Sequence, residues 1–187
     1  MINNFNYKIV VFLMGVLLLV NGGFMLLSSL ISLFSNDGFV EKITISSLIV
    51  ISAGFVFLFF GRGYEKQIQK REGYLIVTLG WILMSITGTI PYIMTGVIPQ
   101  FSSSFFESMS GYTTTGATII EKIDSLPKGI LFWRSTTHWI GGMGIIVLAI
   151  AILPFLGIGG TQLFSAEAPG PASDKLHPRI TDTAKRL

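Results

Sequence analysis

Residues 110–118 read Ser-Gly-Tyr-Thr-Thr-Thr-Gly-Ala-Thr: three consecutive threonines bracketed by glycines, with no acid, base or thiol. Such residues lack the activated nucleophile and the proton-transfer pair that covalent and general acid–base catalysis need. They offer neutral oxygen instead. The loop formed by Thr113, Thr114, Thr115, Gly116 and Ala117 can present threonine hydroxyls and backbone carbonyls. Glycine at 116 lets the backbone take conformations closed to other residues and brings carbonyls close to a ligand. Rings of such oxygens replace the hydration shell of K⁺ in selectivity filters. The bland alternative is a surface turn between two helices, where threonine and glycine are also common.

The other polar candidates are few. Arg134 and His138 lie one helical turn apart near the start of the last apolar segment. Arg134 could pair with Glu107, or set a field at a pore mouth. The sequence favours a plainer role, interfacial anchoring, with Trp133 and Trp139 forming an aromatic belt. His138 as a catalyst would need a nucleophile and an orienting acid, and no acid stands at helical spacing in its segment. An enzyme is therefore not expected. The absence of cysteine excludes disulfides and thiolate chemistry. The net charge of +3 is spread among acids, which argues against nucleic acid as a partner.

The elements that must position the loop are membrane spans. Half of the 187 residues are apolar and only 12% are charged, against about a quarter in soluble domains. Four segments are expected to cross: 9–34, 43–60, 74–98 and 130–155. The first is about 26 residues, too long for the core of a signal peptide, and reads as a retained helix. Between the third and fourth, Phe101, Phe105, Phe106 and Met109 recur at helical spacing. Only about ten residues, 102–111, can be helical there, spanning about 15 Å of a core about 30 Å thick. The segment can enter a membrane but cannot cross it. Arg62, Lys66, Lys70 and Arg71 place their loop inside by the positive-inside rule, as Lys175, Arg179, Lys185 and Arg186 place the tail. The acid-bearing loops around Asp37 and Asp124 then lie outside, and the N-terminus inside. Four spans plus a re-entrant segment satisfy both charge and length. The half-helix would aim its C-terminus, the negative end of its dipole, at the bilayer centre, which favours a cation. Asn21-Gly22-Gly23 reads as a packing site, as do Gly141, Gly142 and Gly144. Pro91 and Pro154 should kink or end their helices.

With these elements placed, 105–118, Phe-Phe-Glu-Ser-Met-Ser-Gly-Tyr-Thr-Thr-Thr-Gly-Ala-Thr, resembles the first pore loop of the Trk/Ktr/HKT superfamily of potassium transporters, closest to the TrkH type. Trp133-Arg134-Ser135 and Trp139-Ile140-Gly141-Gly142-Met143-Gly144 resemble the helix that follows that loop. Ala166-Glu167-Ala168-Pro169-Gly170-Pro171 and Lys175-Leu176-His177-Pro178-Arg179-Ile180 resemble the connection to a second repeat. The likeness is strongest over 73–187; the first two helices match in position and hydropathy only.

The resemblance implies an all-α integral membrane protein. Residues 1–72 would form an N-terminal two-helix hairpin, 73–158 one helix–pore-loop–helix repeat, and 159–187 an irregular cytoplasmic connector. It also implies potassium uptake across the inner membrane of a bacterium, with Gly116 as filter glycine and K⁺ held at Thr114, Thr115 and Gly116. No cofactor is expected beyond the transported ion. The implied partners are three further pore repeats, a homodimeric second copy, the lipid bilayer and a soluble nucleotide-binding regulatory subunit of the TrkA or KtrA kind. One loop is a quarter of a ring, so the chain reads as the N-terminal portion of a longer protein. Assembly of four copies is the less favoured arrangement. The alternative function is a secondary transporter binding a small solute at a broken helix, but such sites aim half-helix N-termini at an anion. A purely structural membrane domain is a third reading.

Overall fold

In a computed structural model of the chain, residues 6–64 and 70–152 are described. Every regular element among them is helical, as a membrane interior demands, since each backbone polar group must there be satisfied within its own segment. The helices are α1 (Tyr7–Ser35), α2 (Val40–Phe60), α3 (Lys70–Gly88), α4 (Ile90–Thr95), α5 (Phe101–Tyr112) and α6 (Lys128–Ile152), with a 3₁₀ turn at Ile123–Ser125. Two compact units divide the chain, Met1–Ile140 and Gly141–Leu187. The packing described below is that of the first; of the second, Gly141 to Ile152 continue the last helix. The expected features at Pro154, 159–187 and the end of the fourth span lie outside the described residues.

Tyr7–Ser35, Val40–Phe60 and the combined stretch Arg71–Thr95 are long and apolar enough to cross a membrane, with 29, 21 and 25 residues. The shortest reaches about 32 Å at 1.5 Å per residue, just over the hydrocarbon thickness. Helix α6, also 25 residues, has the length of a fourth span.

Between helices in lipid, close packing replaces the hydrophobic effect, and small residues permit it. A methyl group on Gly22 would lie 2.5 Å from the Ile51 side chain, and one on Gly54 2.8 Å from Leu19. Ser47 donates to the Gly22 carbonyl at 2.8 Å, and the Ser29 and Thr44 hydroxyls meet at 2.5 Å. The expected packing role of the Asn21-Gly22-Gly23 stretch therefore falls to Gly22. Gly23 faces open space, and Asn21 has a different part, described below.

Pro91 breaks the third span as expected. It has no N–H for the Thr87 carbonyl, so α3 ends at Gly88 and α4 begins at Ile90. The Gly88 carbonyl accepts the indole N–H of Trp133 at 3.2 Å. Trp133 is fully buried, which corrects its placement in an interfacial belt. Its N–H finds a better partner at a helix break than at the headgroups. Trp139 is 56% exposed and meets the Phe24 ring edge-on at 5.7 Å.

The start of α6 is held from the other end of the sequence. The Asp37 carboxylate, in the α1–α2 loop, accepts the Gly129 amide at 2.9 Å across 92 positions. It also accepts the Phe39 amide at 3.1 Å and the Ser32 hydroxyl. A carboxylate there satisfies an orphan donor and complements the helix dipole. Burial pushes the Asp37 carboxyl up, but the bonds from Gly129, Ser32 and Phe39 outweigh it and hold the group below its usual range.

Because those bonds favour the charged form, their contribution is complete above the ordinary carboxylate pKa of about 3.9 and is lost only as pH falls through the lower folded value. Asp37→Asn, which keeps an acceptor but loses the charge, should therefore cost about 0.3–2 kcal/mol at neutral pH, read as a lower melting temperature in detergent. The wild type should hold its melting temperature from pH 7 down to pH 5 as far as this group decides it, and the gap to the variant should narrow below about pH 4.

Candidate functional site

Helix α5 is 12 residues long, about 18 Å, and stops short of crossing. Its faces are inverted relative to a soluble helix. Ser104, Glu107, Ser108 and Gly111, at i, i+3, i+4 and i+7, are buried, whereas Phe101 and Phe106 are exposed. In lipid or against further apolar protein this orientation brings the Ser104 and Glu107 side chains to partners inside, while the buried Ser108 hydroxyl has no hydrogen-bond partner among the described residues. Ser104 donates to the Ile98 carbonyl at 2.6 Å.

Two close approaches seat the half-helix. A methyl group on Gly88, at the α3–α4 break, would come within 3.0 Å of the Tyr112 ring and overlap the Ser108 hydroxyl. One on Gly111 would overlap the Thr137 hydroxyl and lie 3.1 Å from Thr137 Cβ. Larger residues at either position would push α5 off its neighbours.

At its C-terminus α5 closes on itself. The Thr114 amide donates to the Gly111 carbonyl and the Thr115 amide to the Ser110 carbonyl, both at 3.0 Å. These are the two bonds of a Schellman motif, which calls for a left-handed residue at the position of Thr114. Thr114 has φ of 55°, an outlier for a β-branched side chain. Gly116 follows with φ of 76°, while Thr113 has −81° and Thr115 is not positive. The sign of φ thus alternates from Thr113 to Gly116. No neighbour lies within 4 Å of a methyl group built on Gly116, so its backbone conformation, not space, restricts this position. Thr113 through Thr118 are exposed, and the Thr113 and Thr115 hydroxyls meet at 2.9 Å.

The outgoing limb is tied to the half-helix by side chains. Ser110 donates to the Ala117 carbonyl at 2.6 Å, so that carbonyl already serves as a tether. The Glu107 carboxylate, 1% exposed, accepts the Thr118 hydroxyl at 2.9 and 3.0 Å and the Ile119 amide at 3.1 Å. It also accepts Arg134 Nε at 2.7 Å. Arg134 and Glu107 are brought together, and the plainer anchoring role favoured for Arg134 on sequence grounds gives way to this pair. His138 Nδ1 lies 3.0 Å from the Arg134 carbonyl, within its own helix. Among the described residues no group of three or more His, Cys, Asp or Glu could hold a metal ion.

The roles of Thr118, Ser110, Asn21 and Tyr112 as structural ties emerge only in the folded chain. Asn21 carries the clearest hint, as a carboxamide in the middle of a strongly apolar span. For Thr118 nothing local pointed to a carboxylate 11 residues earlier.

The family model described as TrkH, cation transport protein, matches residues 39–187. The chain is 42% identical over 184 residues to the Trk system potassium uptake protein TrkH of Salmonella typhimurium, covering 97% of this chain and 38% of that protein. It is 46% identical over 123 residues to the Trk system potassium uptake protein TrkG of Escherichia coli, covering 65% and 25%. The crystal structure of the potassium transporter TrkH from Vibrio parahaemolyticus superposes with a TM-score of 0.81 at 37% identity, covering 97% and 36%. The chain thus spans 38% of the length of the TrkH relative from Salmonella typhimurium.

Removing one member of the Glu107–Arg134 pair should be costly, because the other stays buried and charged. Glu107→Ala and Arg134→Ala should each destabilise by about 3–5 kcal/mol. The double variant should lose clearly less than the sum of the two, as read from thermal unfolding in detergent.

Proposed function

This chain belongs to the TrkH family of cation transport proteins, and on that premise we propose that it supplies one quarter of a potassium-conducting pore. Thr114, Thr115 and Gly116 line the ion path, K⁺ being the cargo and no cofactor being required. The observation that carries the reading is the alternation of φ from Thr113 to Gly116 at the end of a half-length helix. Alternation turns successive peptide units the same way, so that several carbonyls of one short loop can face one ion. The negative end of the α5 dipole lies at the same place and adds to the attraction. This polarity supports a cation over the anionic solute of the secondary-transporter alternative, whose sites use helix N-termini. Ala117 serves as tether through Ser110, beside the ion path.

A ring needs four such loops. Phe106 and Thr115, which are exposed, and the half-buried Phe105 and Met109 border an open cleft of about 240 Å³, a face suited to an adjoining repeat. We place the pore in the bacterial cytoplasmic membrane with the N-terminus inside, on the distribution of basic residues. A homodimeric assembly and a soluble nucleotide-binding regulatory subunit are proposed from the resemblance. Uptake down the electrochemical gradient gains about 2.3 kcal/mol per charge per 100 mV, enough to concentrate K⁺ without covalent chemistry. The protein then acts as a transporter and not as an enzyme.

Gly116→Ser and Gly116→Asp in the complete transporter should cut K⁺ or Rb⁺ uptake, or the preference for K⁺ over Na⁺, by tenfold or more. A conformation costing about 1–3 kcal/mol for a residue with a side chain would have to be kept. Uptake is measured in cells lacking other potassium routes; unchanged rate together with unchanged preference would sink the filter assignment.

A further inference from the structure

A short run of buried hydrogen bonds joins three helices behind the loop. The Tyr112 hydroxyl donates to Asn21 Oδ1 at 2.5 Å. Asn21 Nδ2 donates to Thr87 Oγ1 at 2.9 Å. Thr87 donates in turn to carbonyls of its own helix, Leu83 at 2.9 Å and Met84 at 3.2 Å. Asn21 and Tyr112 are fully buried, and Thr87 nearly so.

The directions of these bonds fix the carboxamide. The Thr87 hydroxyl hydrogen is engaged within α3, so its oxygen is left to accept, and only the amide side of Asn21 can donate to it. The carbonyl side of Asn21 must then face Tyr112. The carboxamide is fixed in orientation as well as position. Asn21 belongs to α1, which contributes nothing to the loop itself. Tyr112 is the last residue of α5, and Thr113 to Gly116 depart directly from it. The Tyr112 ring is also held against the α3–α4 break at Gly88. The last turn of α5 is thus tied to α1 and α3, and through Gly111 it also packs on Thr137 of α6.

We propose that Asn21 is a positioning residue for ion selection, acting through Tyr112 on the loop carbonyls. The proposal rests on the filter reading above. A carbonyl cage discriminates ions by the placement and number of its oxygens, and constellations of this kind tolerate displacement of only about 0.5 Å. A tie that fixes the residue before the loop is thus a determinant of preference, beyond its share in stability. Asn21 and Tyr112 are fully buried, so a polar group left without its partner there is costly.

The test uses the complete transporter, purified and reconstituted into liposomes, with Rb⁺ and Na⁺ uptake measured beside thermal unfolding. Asn21→Leu and Tyr112→Phe should each lower the K⁺-type over Na⁺ preference by about threefold to tenfold, the range of one hydrogen bond. The double variant should fall no further than the worse single one, because both delete the same link. Thr87→Val should share the loss, and Thr87→Ser, which keeps the hydroxyl, should retain the wild-type preference. Wild-type preference in both Asn21→Leu and Tyr112→Phe, with only a lowered melting temperature, would reduce the tie to a structural one and overturn the proposal. If Asn21→Leu fails to assemble, Tyr112→Phe decides alone, since it deletes one oxygen and keeps the ring. A wild type that does not favour Rb⁺ over Na⁺ would remove the filter reading itself and the proposal with it. A selective wild type with equally selective variants would remove only the latter.

Discussion

A carboxylate inside a membrane protein must be paired and hydrogen-bonded, or it gives up its charge. Glu107 meets this condition with donors from two directions: Arg134 on α6, and the Thr118 hydroxyl with the Ile119 amide on the outgoing limb of the loop. The half-helix, the loop and the last helix are thereby held at one point. Without it, the loop after Thr115 would keep the bond from Ser110 to Ala117 and the packing of Ile120 against the core. An exposed, irregular loop keeps a defined course here because a charge that is costly to bury has been made cheap only in this one arrangement.

The same economy of polar groups governs the rest of the fold. Pro91 frees backbone carbonyls at the α3–α4 break, and the indole of Trp133 takes one of them. The α6 N-terminus needs an acceptor, and Asp37 provides it from a loop that precedes it by 92 residues. The polar face of α5 turns inward, where Ser104 finds the Ile98 carbonyl. In each case a group that water would satisfy in a soluble protein is met by a specific partner elsewhere in the chain. Glycines at 88 and 111 let α5 approach the α3–α4 break and Thr137 of α6 closely.

Much of this was legible in the residues. The spans, the too-short segment at 101–112 and the break at Pro91 follow from counts of apolar residues and from the missing proline N–H. Their ends moved by a few residues, since a hydropathy window does not see capping bonds. Trp133 was misplaced, because a tryptophan near a helix end serves an interface or a buried acceptor equally well, and only the position of Gly88 decides. Arg134 reads as an anchor for the same reason: its partner lies 27 positions earlier, on a helix whose orientation the sequence leaves open.

By itself, then, the sequence determined that this is a helical membrane chain with a half-length helix ending in a neutral, oxygen-rich, glycine-containing loop. Periodicity, length against bilayer thickness and charge asymmetry are local properties, and local properties can be read along a chain. The tertiary structure alone decided what holds that loop: Glu107 between Arg134 and Thr118, and Tyr112 on Asn21 from the first helix. Those ties join residues up to 91 positions apart. Which of many polar side chains meet is settled by packing, because a buried donor can use only an acceptor that the folded helices bring within reach.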